Sequence, residues 1–121
     1  MLCIGHRPDG SPFSVGVMDP GSKDGYWMAL DIDDISAVTA GAYERCFEQD
    51  GIRYHHIIDP ATGYPARSGL ESVTVTGPVS AVCDGLSTTL FILGEEKGKA
   101  FLERWNQENS SSYEAYFLHE R

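Results

Sequence analysis

Short apolar segments separated by turn-forming residues fill the first half of the chain, and after Pro78 the apolar spacing changes to that of a helix. Asp9-Gly10 divides Leu2–Ile4 from Phe13–Met18 and predicts a hairpin between them. Asp19–Gly25 forms a second turn leading into the apolar run Tyr26–Ile32, and Ser36–Ala40 reads as another short strand. Asp50-Gly51 predicts a hairpin tip joining Tyr43–Glu48 to Arg53–Ile58. Pro60, Gly63 and Pro65 then impose an irregular stretch, because proline fixes φ and removes an amide donor. The β-branched run Ser72–Thr76 predicts a strand that Pro78 ends.

Val82, Leu86, Leu90 and Leu93 recur at helical spacing, with Ser80 as the expected N-cap and Gly94 as the stop. Residues 95–106 predict a second helix with Ala100, Phe101 and Trp105 turned inward, and Tyr113–Leu118 a last strand. The expected class is α+β: a mixed or antiparallel sheet packed with two helices of the C-terminal half. At 121 residues, the expectation is that 1–121 form a single domain. Because Leu2–Ile4 reads as a strand already under way, the chain is expected to be the later part of a longer protein.

Charge narrows the function classes. Asp and Glu number 18 against 9 Lys and Arg, a net charge of −9 with no basic patch, which disfavours nucleic acid and anionic lipid as partners. No apolar run approaches the roughly 18–20 residues of a membrane helix. Cys3, Cys46 and Cys83 have neither disulfide-framework nor zinc-ligand spacing.

Two clusters have the residue types that chemistry requires. In Arg53–Pro65, strand alternation sends His55 and His56 to opposite faces, so at most one of them lines a given site, as a proton acceptor near neutral pH; the alternative is that one faces solvent and the other is hydrogen-bonded in the core. On the first helix, Asp84 and Thr88 lie four residues apart and share a side, with Phe91 near enough to cover that face in part. A carboxylate and a hydroxyl so placed suit Mg²⁺. They equally suit a first-turn acid favoured by the helix dipole and a hydroxyl bonded back to its own helix. A third segment, Thr39-Ala40-Gly41-Ala42-Tyr43-Glu44-Arg45, is either a close-approach point for a ligand or a plain corner.

Taken in order, Pro8–Phe13, Thr39–Arg45, His56–Pro65, Ser72–Val75 and Asp84–Thr88 through Gly98 resemble the ApbE-like flavin transferases, or FAD:protein FMN transferases. His-Ile-Ile-Asp-Pro-x-Thr-Gly followed by Asp-x-x-Ser-Thr carries the likeness, which spans almost the whole chain. It implies an ApbE-like fold truncated at its N-terminus and an enzyme that moves FMN from FAD to a Ser or Thr hydroxyl of an acceptor flavoprotein, releasing AMP. It also implies roles: His56 as the base, Ile58 as an FAD contact through its backbone, Asp59 and Thr62 as shapers of that loop, and Asp84 and Thr88 as ligands of Mg²⁺. Hydrolysis of FAD to FMN and AMP, or a non-catalytic flavin-binding or interaction remnant, remain open beside transfer. Ala40 and Cys83 depart from the Ser and Ala usual in the family, without removing a proposed ligand. The likeness further implies an exported protein, lipid-anchored or periplasmic. The isolated chain is expected to be inactive and to self-associate as a homo-oligomer through open strand edges.

Overall fold

The computed structural model describes Met1–Arg121. In chain order its elements are β1 (Phe13–Met18), β2 (Tyr26–Ile32), β3 (Ser36–Gly41), β4 (Cys46–Gln49), β5 (Ile52–His55), β6 (Ile58–Asp59) and β7 (Tyr64–Pro65). They continue with β8 (Leu70–Gly77), α1 (Ser80–Leu93), α2 (Glu95–Asn109) and β9 (Glu114–His119). The architecture is α+β, and every strand pairing is antiparallel.

The sheet β3-β8-β9 divides the molecule into two layers. Val73 and Val75 of β8 face α1 and α2, where they pack with Leu86, Leu90, Phe91 and Leu102 in the larger core. A period of two then sends Thr74 to the other side, where its hydroxyl shares a 2.8 Å hydrogen bond with that of Thr39. Over that face lies the β1–β2 hairpin, whose Val17, Leu30 and Ile32 bury Ala37 and Cys3 in a second, smaller core. Burial of apolar area in these layers, at ~25 cal/mol per Å², is the main term holding them together.

Some elements depart from expectation. Leu2–Ile4 does not pair with Phe13–Met18 across Asp9-Gly10; Leu2 bridges Ser36 instead, and β1 pairs β2. Asp9-Gly10 closes only a local turn, in which the Gly10 amide donates to Arg7 O at 2.8 Å. The helix α1 is capped at Val79 rather than Ser80, whose hydroxyl bonds the buried Ser36 hydroxyl. On α2, Ala100 is exposed, and Leu102 is the large side chain that enters the core, with Phe101 and Trp105 partly buried against it. The Asp50-Gly51 tip forms as expected between β4 and β5, with φ of 52° and 74° at its two residues. Positive φ at both positions is the geometry of the type I′ turn, which matches strand twist.

Candidate active site

The chain crosses from β5 to β6 through His55, His56 and Ile57, and the two histidines part company there. His55 is buried, with Nε2–H donating to Ala66 O at 3.0 Å and Nδ1 accepting the Ile57 amide at 3.3 Å. Those two bonds require the neutral tautomer. Its ring meets Phe91 of α1 edge-on, centroids 5.5 Å apart at 88°. Burial pushes the His55 pKa below its usual 6.5, against the Ala66 carbonyl, which raises it. His56 points the other way and is exposed, held by its own amide to Arg45 O at 3.1 Å.

His56 opens onto a polar cleft of about 250 Å³ that Asp84 and Thr88 also line. These two come from successive turns of α1, since 3.6 residues per turn stacks positions four apart. Both are exposed, and the cover expected from Phe91 is absent: Phe91 turns one helical turn further into the core, against His55. Nor is Asp84 a first-turn acid, because α1 begins at Ser80 and its first turn holds no acidic residue. The hydroxyls that bond back along this helix are those of Ser87, to Asp84 O at 3.0 Å, and Thr89, to Gly85 O at 2.8 Å. Thr88 is therefore placed toward the cleft rather than engaged with its own backbone.

The floor and far wall come from the end of β3 and the turn after it: Thr39, Ala40, Gly41, Glu44 and Arg45. The room left by the missing Cβ of Gly41 is taken by the Tyr43 ring, which would lie 2.5 Å from a Cβ, so the close approach there is internal and not to a ligand. The sequence alone assigns Glu44 and Arg45 no role beyond membership of this segment. Only the turn after β3, brought beside the β5–β6 connection, makes them lining residues. Thr39 and Glu44 also border a more apolar cavity of about 360 Å³ between β1 and β3.

Ile58, Asp59 and Thr62 are not part of this cleft. Ile58 is exposed on β6, and Asp59 and Thr62 line a separate cavity of about 420 Å³ with Tyr54, Tyr64 and Ile92. The Asp59 carboxylate accepts the Ala61 amide at 2.9 Å, and the Asp59 carbonyl accepts the amides of Thr62 and Gly63 at 3.2 and 2.8 Å. The Thr62 hydroxyl accepts the Tyr64 amide at 3.2 Å. Both polar side chains hold their own loop.

Asp84 and Thr88 present two hard oxygens, one anionic, to the cleft. No group of three or more His, Cys, Asp or Glu side chains forms a complete metal cage. A pair of oxygens nevertheless fits Mg²⁺, which takes one or two protein oxygens and fills its remaining positions with phosphate and water.

The sequence model of the ApbE family matches residues 1–117. Among curated relatives, an FAD:protein FMN transferase of Treponema pallidum is 47% identical over 94 residues, 77% of this chain and 26% of the relative. One of Vibrio cholerae is 39% identical over 100 residues, 82% of this chain and 30% of the relative. The solved ApbE protein of Thermotoga maritima superposes with a TM-score of 0.79 at 36% identity, covering 96% of this chain and 37% of that one. The flavinyl transferase ApbE of Pseudomonas stutzeri gives a TM-score of 0.68 at 37% identity, over 97% of this chain and 34% of that one. The chain thus spans between a quarter and a third of the length of these curated relatives, 26% and 30%.

Proposed function

The chain belongs to the ApbE family, and we propose that it forms the C-terminal part of a domain that transfers FMN from FAD to an acceptor protein. The observation that carries the reading is the meeting of His56, Asp84 and Thr88, from two distant segments, around one polar cleft. A proton acceptor and two hard oxygens are the groups that displacement at a diphosphate requires.

In this reading a Ser or Thr hydroxyl of the acceptor forms a P–O bond to the FMN-side phosphorus as the P–O bond to the bridging oxygen breaks. That oxygen keeps the electron pair and departs with AMP, and His56 Nδ1 or Nε2 takes the hydroxyl proton. Mg²⁺, held by Asp84 and Thr88, would neutralise phosphate charge when bound. The exposure of the His56 ring lets an incoming hydroxyl reach it, while the neutral, buried His55 fixes the backbone on which it sits. The apolar cavity sharing Thr39 and Glu44 with the cleft suits a flat aromatic ring at one end of a dinucleotide. From outside the cleft, Ile58 would contact the FAD through its backbone, and Asp59 and Thr62 would act through the shape of their loop.

The test is incubation of the complete gene product with FAD, Mg²⁺ and a candidate acceptor. Flavin fluorescence that stays with the acceptor on a denaturing gel, with AMP formed in equal amount, supports transfer. AMP without labelled acceptor indicates hydrolysis, and the absence of both products refutes catalysis.

A further inference from the structure

We propose that Arg45 is the cation of the cleft that meets the diphosphate and the negative charge growing on the departing phosphate, an assignment that rests on the transfer reading above. Arg45 is the one Lys or Arg among the residues lining the cleft. The ion-paired arginines are elsewhere: Arg53 binds Glu71 and Glu120, and Arg121 binds Asp19. The Arg45 side chain is exposed and carries no such pair.

Electrostatics calls for a cation here. Glu44 and Asp84 both line the cleft, in a chain of net charge −9, so a dianionic diphosphate enters a negative field. One divalent cation at Asp84 and Thr88 offsets the Asp84 carboxylate and a single phosphate charge. A second positive group is needed as the P–O–P bridge breaks and the bridging oxygen takes the electron pair. A guanidinium supplies that charge with two parallel N–H donors matched to a phosphate.

Position supports the assignment too. The Arg45 carbonyl accepts the His56 amide at 3.1 Å, so one backbone hydrogen bond fastens the segment carrying the cation to the segment carrying the base. The backbone at the two positions therefore keeps its spacing without help from a ligand.

The experiment compares wild type, Arg45→Gln and Arg45→Lys in the complete gene product, with FAD, Mg²⁺ and acceptor. Loss of a charged hydrogen bond predicts that Arg45→Gln lowers kcat/KM for FAD about tenfold or more. Arg45→Lys recovers part of that loss, because the charge remains and the fork does not. A value for Arg45→Gln within about twofold of wild type, in a protein with unchanged melting, overturns the proposal. If the wild type forms neither AMP nor labelled acceptor, the transfer reading fails by itself, and titration with ADP and Mg²⁺ still decides Arg45. ADP bound about tenfold more weakly by Arg45→Gln upholds the assignment, and equal affinity overturns it.

Discussion

Thr62 lies six positions after His56, and across that interval the polar side chains change their use. His56, with Asp84 and Thr88 facing it, is exposed on a cleft, and the backbone around it is held by other groups. Asp59 and Thr62 lie in the same motif but direct their oxygens to the amides of Ala61 and Tyr64. A shared motif therefore mixes groups that are available to a ligand with groups that hold the ligand's surroundings. Hydrogen-bond engagement tells the two apart, and substitutions should separate them by which measurement moves.

The largest expected effect is at His56. His56→Ala should lower transfer by about 10²–10⁴-fold, the range for loss of a general base, while FAD still binds. His55→Ala should reduce stability, since it removes a buried ring and two hydrogen bonds, with a much smaller effect on turnover of the folded protein. Equal loss of turnover from the two, measured on samples of verified fold, would make the pair structural and erase the comparison.

Next comes the metal pair. Asp84→Ala should cut turnover at limiting Mg²⁺ by at least the roughly 10–100-fold that loss of an outer-shell partner costs, and shift the Mg²⁺ requirement upward. Its melting temperature should stay close to wild type because the carboxylate is exposed. Thr88→Val, which removes a neutral ligand, should act in the same direction with a smaller loss. An unchanged Mg²⁺ titration in Asp84→Ala would remove it from the ligand set.

A pH dependence of stability should follow from His55. Its folded pKa is depressed from 6.5 by burial, so between 6.5 and the folded value the unfolded chain binds a proton that the native chain does not. Its contribution to stability is intact above 6.5 and is lost as the pH falls through that window, with a slope of at most ~1.4 kcal/mol per pH unit. Denaturant midpoints measured across this range should show the decline, and His55→Gln should flatten it. An identical slope in that variant would place the proton elsewhere.

The smallest effect should be at the loop. Asp59→Ala removes one side-chain bond to the Ala61 amide and should cost ~1 kcal/mol of stability. Its Mg²⁺ titration should match wild type. A changed Mg²⁺ requirement would move Asp59 into the group that serves the ligand.

The order of strands and helices was legible because it rests on local signals: the β-branched run of β8, the four-residue spacing along α1, and a two-residue tip at Asp50-Gly51. Pairing was less so. A turn signal at Asp9-Gly10 is satisfied by a local turn, while β1 finds its partner across the longer turn at 19–25, through burial that no short window displays. Ser80 looked like a cap and instead bonds Ser36, a contact 44 positions away. Opposite faces for His55 and His56 followed from strand alternation. The openness of the Asp84 face did not, because Phe91 shares its angle on the helix but lies deeper in the core. Glu44 and Arg45 enter the cleft through a turn whose direction depends on the Tyr43 ring lying over Gly41.

One connection in the C-terminal half sets how the chain tolerates changes in length. A single residue, Gly94, closes α1 and opens α2: its amide donates to Leu90 O at 3.0 Å and its carbonyl accepts the Gly98 amide at 2.8 Å. Gly94 itself is not helical, with φ 83° and ψ 171°, so the two helices meet at a corner and each keeps its own phase. An insertion of one residue inside the first turn of α2 would turn the rest of that helix by about 100°. Phe101 would take the place of Leu102, and Lys97 would take the place of the buried Gly98. The stretch Ser110–Ser112, between the end of α2 and the start of β9, has no such phase to keep. Extra length belongs there, where it can loop into solvent without rotating anything that the cleft depends on.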